Sequence, residues 1–262
     1  MKAVTSRDNP TYQATLALAR ERKARCQAGQ TVLDGPHLLE SASQAGVKPL
    51  RLVYSETAAE GPLAAWSRRW PEVPALVVPD RLFAALSPVT SPTGLLSVIN
   101  LPRATDRTAR LAVLLEDIQD PGNLGALIRV AAASGMEAVY LSQGCAEAWS
   151  PKCLRGGQGA HFLVDIHEDV DLPAFARRFA EQYSGRIHAA RLGAPHSLFQ
   201  LDLTGPTGFA FGNEGAGLSS ALGAVTQSFS IPMPGRVESL NVATAAAVCL
   251  FERVRQTGIK AP

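Results

Sequence analysis

The sequence predicts an α/β protein in two parts, the second built on a parallel sheet, and three observations carry that prediction. Short apolar runs rich in Val, Leu and Ile alternate with stretches of helical periodicity along the 262 residues. A polar, aperiodic segment at residues 101–109, with Pro102 and several charges, divides the series in two. After that break the apolar runs become nearly continuous, as in strands buried on both faces, and several lead into turns rich in glycine and asparagine.

In the first part, Asn9-Pro10 reads as an N-cap followed by proline at the first helical position. Tyr12, Leu16 and Ala19 then recur at helical spacing, placing Arg20 and Lys23 on the surface of one helix that Gly29 closes. Residues 31–33 read as a strand, 36–45 as a helix ending at Gly46, 51–54 as a strand, and 63–70 as a helix. A strand at 75–78, a helix capped by Asp80 and running to Leu86, and a strand at 94–99 complete a module of residues 1–103. In the second part, residues 108–262, a buried strand at 111–115 leads through a turn at 120–125 into a helix ending at Gly135. Strands at 138–141, 162–166, 187–192, 208–211 and 229–231 follow, separated by helical stretches, and the last helix runs from about Glu238 to Gln256. Such alternation places helices over a parallel sheet.

Composition narrows the class. With 46% apolar and 18% charged residues the chain is ordinary for a soluble globular protein. The N-terminal residues lack a signal-peptide core, and the best apolar run, 242–251, is too short to span a bilayer, so a cytoplasmic location without membrane attachment is expected. Cys26, Cys145, Cys153 and Cys249 are scattered without metal-ligand spacing, so reduced thiols and no metal are expected. The net charge of +2 says little, but residues 1–25 carry Lys2, Arg7, Arg20, Arg22, Lys23 and Arg25 against only Asp8 and Glu21. That local excess suits phosphate binding, and a solvated helix face is the alternative.

Three loops after predicted strands hold the candidate chemistry, since open parallel sheets place ligands there. They begin at Asp120-Pro121-Gly122-Asn123, at Gly212-Asn213-Glu214-Gly215-Ala216-Gly217-Leu218, and at Ile231-Pro232-Met233-Pro234-Gly235. None spells a phosphate-cradling nucleotide fingerprint. They offer polar side chains at turns with free backbone groups: Asn123, Arg129, Asn213, Glu214, Ser239 and Asn241. For each alone, a capping role is the competing reading. Arg129 is harder to dismiss, because it lies within an otherwise apolar helical stretch where a charge needs a partner.

The three segments, in this order, resemble the motifs of the SpoU/TrmH family of RNA 2′-O-ribose methyltransferases, within the SPOUT superfamily. The first is an asparagine, glycine and arginine motif. The second is GNEGxGL, and the third is IPMxGxxxSLNVxxAxxxxLFE, nearly complete here down to Leu250-Phe251-Glu252. Residues 1–103 more weakly resemble the substrate-binding module often joined to this family, through Ser6-Arg7, Asn9-Pro10 and Leu33-Asp34-Gly35-Pro36-His37; relatives commonly carry a basic residue at the position of His37. Residues 150–161 look like a further family segment, with Gly156-Gly157 where Ala-Ser is usual.

The resemblance implies a deep trefoil knot in the second domain, a homodimer, and S-adenosylmethionine as cofactor. It places Gly212, Ile231 and Leu240 against the cofactor chiefly through backbone groups, with Asn213, Gly215, Met233, Asn241 and Ala243 nearby. It implies catalytic parts for Asn123, Arg129, Glu214, Ser239 and Asn241, with Asn123 orienting Arg129. RNA contacts are implied at Arg7, Asn9, Arg20, Arg22, Lys23, Arg25 and His37. The expected activity is methylation of a ribose 2′-hydroxyl in structured RNA, ribosomal before transfer RNA. A non-catalytic RNA-binding or ribosome-assembly protein on the same fold, and a small-molecule enzyme of the α/β class, are the competing functions; the intact polar set argues against the first and the basic module against the second.

Overall fold

A computed structural model of the chain describes residues 1–87, 89, 91–213 and 215–258. The chain divides into two compact units, residues 1–103 with Trp149–Phe162, and Ala104–Ala148 with Leu163 onward.

The first unit opens with strand β1 (Lys2–Ala3) and helix α1 (Pro10–Arg20). Asn9 caps α1, its Oδ1 accepting from the amides of Thr11 and Tyr12 at 2.9 and 3.2 Å. The single helix expected to Gly29 is instead two. Glu21 turns extended (φ −115°, ψ 118°), and α2 (Arg22–Ala28) follows, ending on left-handed Gly29. The break is stabilised from within, because the buried Arg25 donates from Nη1 to the Leu18 carbonyl at 2.7 Å, satisfying an acceptor that the end of α1 leaves orphaned. Next come β2 (Gln30–Asp34), α3 (Pro36–Gln44), β3 (Arg51–Ser55), α4 (Glu56–Ala59) and α5 (Ala65–Arg69). Strand β4 (Ala75–Val78), α6 (Asp80–Leu86) and β5 (Leu95–Asn100) complete the unit. The sheet order is β1-β4-β3-β5-β2, with β5 antiparallel to both neighbours. Asp80 does not cap α6 as expected; it is the first helical residue, and its carboxylate accepts from the amide and hydroxyl of Thr57.

The second unit runs through β6 (Leu111–Leu115), α7 (Pro121–Ala133) and β7 (Ala138–Leu141). After β7 the chain forms α8 (Pro151–Gly157), which belongs to the first unit: Thr31 Oγ1 donates to the Trp149 carbonyl at 2.7 Å, and His37 Nε2 lies 3.3 Å from the Gln158 carbonyl. The sequence-based partition keeps these residues in the second domain. The unit resumes with β8 (Asp165–His167), α9 (Leu172–Tyr183), β9 (Arg186–Ala190), β10 (Thr207–Phe211), α10 (Ser220–Gly223), β11 (Gln227–Phe229) and α11 (Val242–Thr257). The strand expected over 162–166 starts three residues later, because residues 160–162 form a 3₁₀ turn.

All strands of this sheet are parallel, in the order β11-β9-β10-β6-β7-β8. From β6 the chain moves outward to β7 and β8, whereas from β10 it passes to β11 on the far side. The order therefore reverses between β6 and β10, which is where open α/β sheets hold their ligands. Both strands are apolar along their length because helices cover both faces.

Candidate active site

The loops that leave β6 and β10 are tied together at this reversal. The ladder continues one step past β6, where the Glu116 amide donates to the Phe211 carbonyl at 2.9 Å. Asp117 then adopts a left-handed backbone (φ 56°), uncommon outside glycine but tolerated by Asp. Ser142 holds it there, accepting from the Asp117 amide at 2.9 Å and donating to its Oδ1 at 2.8 Å. Asn213 Nδ2 donates to the Asp117 carbonyl at 3.0 Å, while its Oδ1 accepts from the amides of Gly215 and Ala216. At the far end of that loop the Glu116 carboxylate accepts from both the amide and the hydroxyl of Ser219, each at 2.7 Å.

Gly212 is required by space. A Cβ there would lie 2.3 Å from the Gly217 carbonyl oxygen and 2.6 Å from the Leu218 nitrogen, both backbone atoms. The loop closes through the Gly217 amide, which donates to the Asn213 carbonyl at 2.8 Å.

The third loop meets the first through asparagines. Asn241 caps α11, its Oδ1 accepting from the amides of Ala243 and Thr244, and its Nδ2 donates to Asn123 Oδ1 on α7 at 3.0 Å. This start lies beyond the expected Glu238, because the cap at Asn241 leaves the preceding residues irregular. Asp120 caps α7 by accepting from the Asn123 amide at 2.8 Å. Among the described residues, 231–240 take part in no backbone-to-backbone hydrogen bond. A run of unspent backbone groups that ends at the Asn123–Asn241 bond fits a ligand read through backbone groups, such as an adenine edge. Ile231 and Met233 are half-buried and Leu240 is exposed, so apolar side chains are available to cover a flat ring.

The candidate residues divide accordingly. Asn123, Asn241 and Ala243 are joined by hydrogen bonds, as are Asn213 and Gly215 in a second set, and Gly212 stands next to Asn213 in the second loop. Ser239 is exposed on the irregular loop, and Glu214 lies outside the described residues. Asn123 Oδ1 accepts from Asn241, and among the described residues no hydrogen bond between Asn123 and Arg129 is seen. Arg129 needs no partner to offset burial, because it stands on the exposed side of α7, whose buried face is Leu124, Gly125, Leu127, Ile128 and Ala131. Its charge faces solvent, available to an anionic ligand. In the first unit Arg7, Arg20, Arg22, Lys23 and His37 are exposed. Arg25 is corrected: buried and spent on the Leu18 carbonyl, it presents no charge to a phosphate. Asn9 spends its side-chain carbonyl on the α1 cap.

Sequence reasoning missed Glu116, Asp117, Ser142 and Ser219. The available signal was two adjacent acids, Glu116-Asp117, directly after a buried strand, at the strand end where open parallel sheets place their ligands.

A parallel α/β unit whose glycine and asparagine loops gather at the strand-order reversal, preceded by a smaller α/β unit with an exposed basic helix end, defines a class of two-part ligand-binding proteins. Comparison with known proteins makes it specific. The SpoU rRNA Methylase family matches residues 110–251, and the MRM3-like substrate binding domain matches residues 1–97. The chain belongs to the SpoU methylase family. It is 34% identical to a tRNA/rRNA methyltransferase of Synechocystis sp., covering 97% of this chain and 94% of that protein. It is 32% identical to the 23S rRNA (guanosine(2553)-2′-O)-methyltransferase RlmP of Bacillus subtilis, covering 96% and 98%. The crystal structure of the SpoU methyltransferase AviRb from Streptomyces viridochromogenes in complex with AdoMet superposes with a TM-score of 0.85 at 28% identity, covering 95% of this chain and 98% of that one.

Proposed function

We propose that this chain methylates a ribose 2′-hydroxyl in ribosomal RNA, using S-adenosylmethionine. The observation that carries the reading is the tying together of the loops that leave β6 and β10, with the third loop, whose backbone over 231–240 is unspent, joined to the first through the Asn123–Asn241 pair, in a chain of the SpoU methylase family. Gly212, Ile231 and Leu240 hold the cofactor through backbone groups, supported by Asn213, Gly215, Met233 and Ala243. When bound, the sulfonium supplies an electrophilic methyl group, and the protein's task is to aim the acceptor oxygen at it.

Arg129 orients the RNA phosphate and ribose from the exposed side of α7 and stabilises charge that develops on the attacking oxygen; a guanidinium is not deprotonated in proteins, so it is not the base. Asn241, with Asn123, fixes the start of α11 beside the loop, and Ser239 and Glu214 complete the catalytic set. Residues 1–103 supply RNA affinity through Arg7, Arg20, Arg22, Lys23 and His37. The working form is a cytoplasmic homodimer, supported by the small apolar residues of α11 that permit close helix approach and by Phe251, 48% exposed on the same helix. Among the described residues no helix is long and apolar enough to cross a membrane.

The experiment is transfer of labelled methyl from S-adenosylmethionine to ribosomal RNA purified from cells lacking the gene, followed by mapping of alkali-resistant linkages. A single methylated ribose, absent in the deletion strain and restored by the protein, is expected. Cofactor binding without transfer to any ribosomal or transfer RNA would overturn the enzymatic reading.

A further inference from the structure

We propose that Glu116 and Ser219 form a clamp that sets the affinity for S-adenosylmethionine by holding the 212–219 loop in its binding shape. The inference rests on the reading of that loop as a cofactor loop, and it assigns a positioning task to two residues outside the catalytic set.

The loop is pinned at both ends to one dipeptide. At its entry Asn213 Nδ2 donates to the Asp117 carbonyl at 3.0 Å; at its exit both oxygens of Glu116 are taken by Ser219, amide and hydroxyl, at 2.7 Å each. Glu116 is itself held to the sheet by its amide bond to Phe211, so the clamp refers the loop exit to the rigid end of β6 and β10. Asp117 is locked in its left-handed conformation by Ser142, and Gly144 leaves room for it, since a Cβ there would come within 2.1 Å of Asp117 Oδ1. Between the two pins the backbone must approach itself closely enough that only glycine fits at 212. Within the loop the Asn213 bonds and the buried Leu218 brace part of the backbone, but Gly215, Ala216 and Gly217 are exposed and bury no apolar side chain. The hydrogen bonds at the ends add to that bracing, and the strongest of them are those to a carboxylate. Releasing one end returns conformational freedom that binding must then remove, so the penalty falls on the ligand that uses the ordered loop.

Ser219 also caps α10, its Oγ accepting from the Leu222 amide at 3.2 Å, so a purely structural role has to be separated from a positioning one. The test uses the full-length protein. Isothermal titration with S-adenosylmethionine, steady-state kinetics with ribosomal RNA and thermal melting are applied to Glu116→Ala, Ser219→Ala, Glu116→Gln and the double alanine variant. The cofactor Kd and KM should rise about tenfold or more in Glu116→Ala, as expected for loss of charge-assisted hydrogen bonds. The RNA KM and the rate at saturating cofactor should each stay within about twofold of wild type, since the reacting groups are untouched. Glu116→Gln keeps one acceptor and should fall between the two. The double variant should be little worse than Glu116→Ala alone, because the two side chains act as one unit.

Unaltered cofactor affinity in both single alanine variants, with wild-type binding intact, overturns the clamp alone. A fall in Tm accompanied by equal losses in cofactor affinity, RNA KM and rate also overturns it and assigns Glu116 to stability. A wild-type protein that binds no S-adenosylmethionine overturns the functional reading and the clamp with it.

Discussion

At the scale of single residues, exposure changes the argument about Arg129 but not its consequence. A charge on the solvent side of α7 costs the fold little, so its removal should leave stability nearly unchanged. Arg129→Ala should therefore abolish methyl transfer in single-turnover assays while melting temperature and cofactor affinity remain near wild type. Arg129→Lys should be almost as damaging, because an ammonium cannot reproduce the planar, two-pronged geometry that orients phosphate and ribose together. Wild-type transfer by Arg129→Ala would remove it from the catalytic set. Gly212 is the opposite case, a residue whose contribution is the absence of atoms. With backbone atoms 2.3 to 2.6 Å from the site of a Cβ, Gly212→Ala has to open the 212–218 loop. Calorimetry should show cofactor affinity reduced by at least about a hundredfold, the scale of a few kcal/mol of forced strain.

At the scale of elements, α1 and α2 separate residues that look alike in the sequence. Arg20, Arg22, Lys23 and Arg25 form one basic cluster on paper, yet the break at Glu21 turns Arg25 inward to the end of α1. Replacing Arg20, Arg22 and Lys23 with alanine should weaken RNA binding and flatten its salt dependence, by roughly 0.7 to 0.9 in log–log slope for each phosphate no longer neutralised. Stability should change little. Arg25→Ala should do the reverse, costing about 1–3 kcal/mol through the unpaired Leu18 carbonyl. Denaturant melts paired with filter binding at several salt concentrations distinguish them, and an unaltered salt slope in the triple variant would return the cluster to a solvated face.

At the scale of the whole molecule, the core of the second unit contains a pH-dependent element. His188 on β9 is 3% exposed, faces Phe209 and Phe229, and has no partner for Nδ1 among the described residues. Burial, with the Arg186 guanidinium adding to it, pushes its pKa from 6.5 down to about 4. The unfolded chain thus takes up this proton before the folded one does. Its stabilising contribution is complete above about pH 6.5 and is lost as the pH falls toward 4, amounting to about 2 kcal/mol between pH 7.5 and pH 5. Urea denaturation across that range should show this loss in the wild type and a flatter profile in His188→Leu; parallel profiles would show that the imidazole does not carry the effect.

Much was determined locally. The run at 111–115 is apolar because it is buried on both faces, Asn9-Pro10 states its helix start, and the glycine and asparagine loops declare themselves by composition. The family motifs added the cofactor and chemistry, and the expectation of a knot, which general rules of chain connection disfavour. Tertiary structure alone decided which polar group meets which. Asn123 and Asn241 are separated by most of the second unit and bond only because α7 and α11 start at the same edge of the sheet. Glu116 and Ser219 carry no motif, and their bond exists because β10 lies beside β6 in a strand order that sequence periodicity does not encode. The same holds for Arg25, and for Trp149–Phe162, which follow β7 in sequence yet pack against β2. Periodicity reports whether a residue faces apolar or polar surroundings, whereas a hydrogen-bond partner is set by long-range packing.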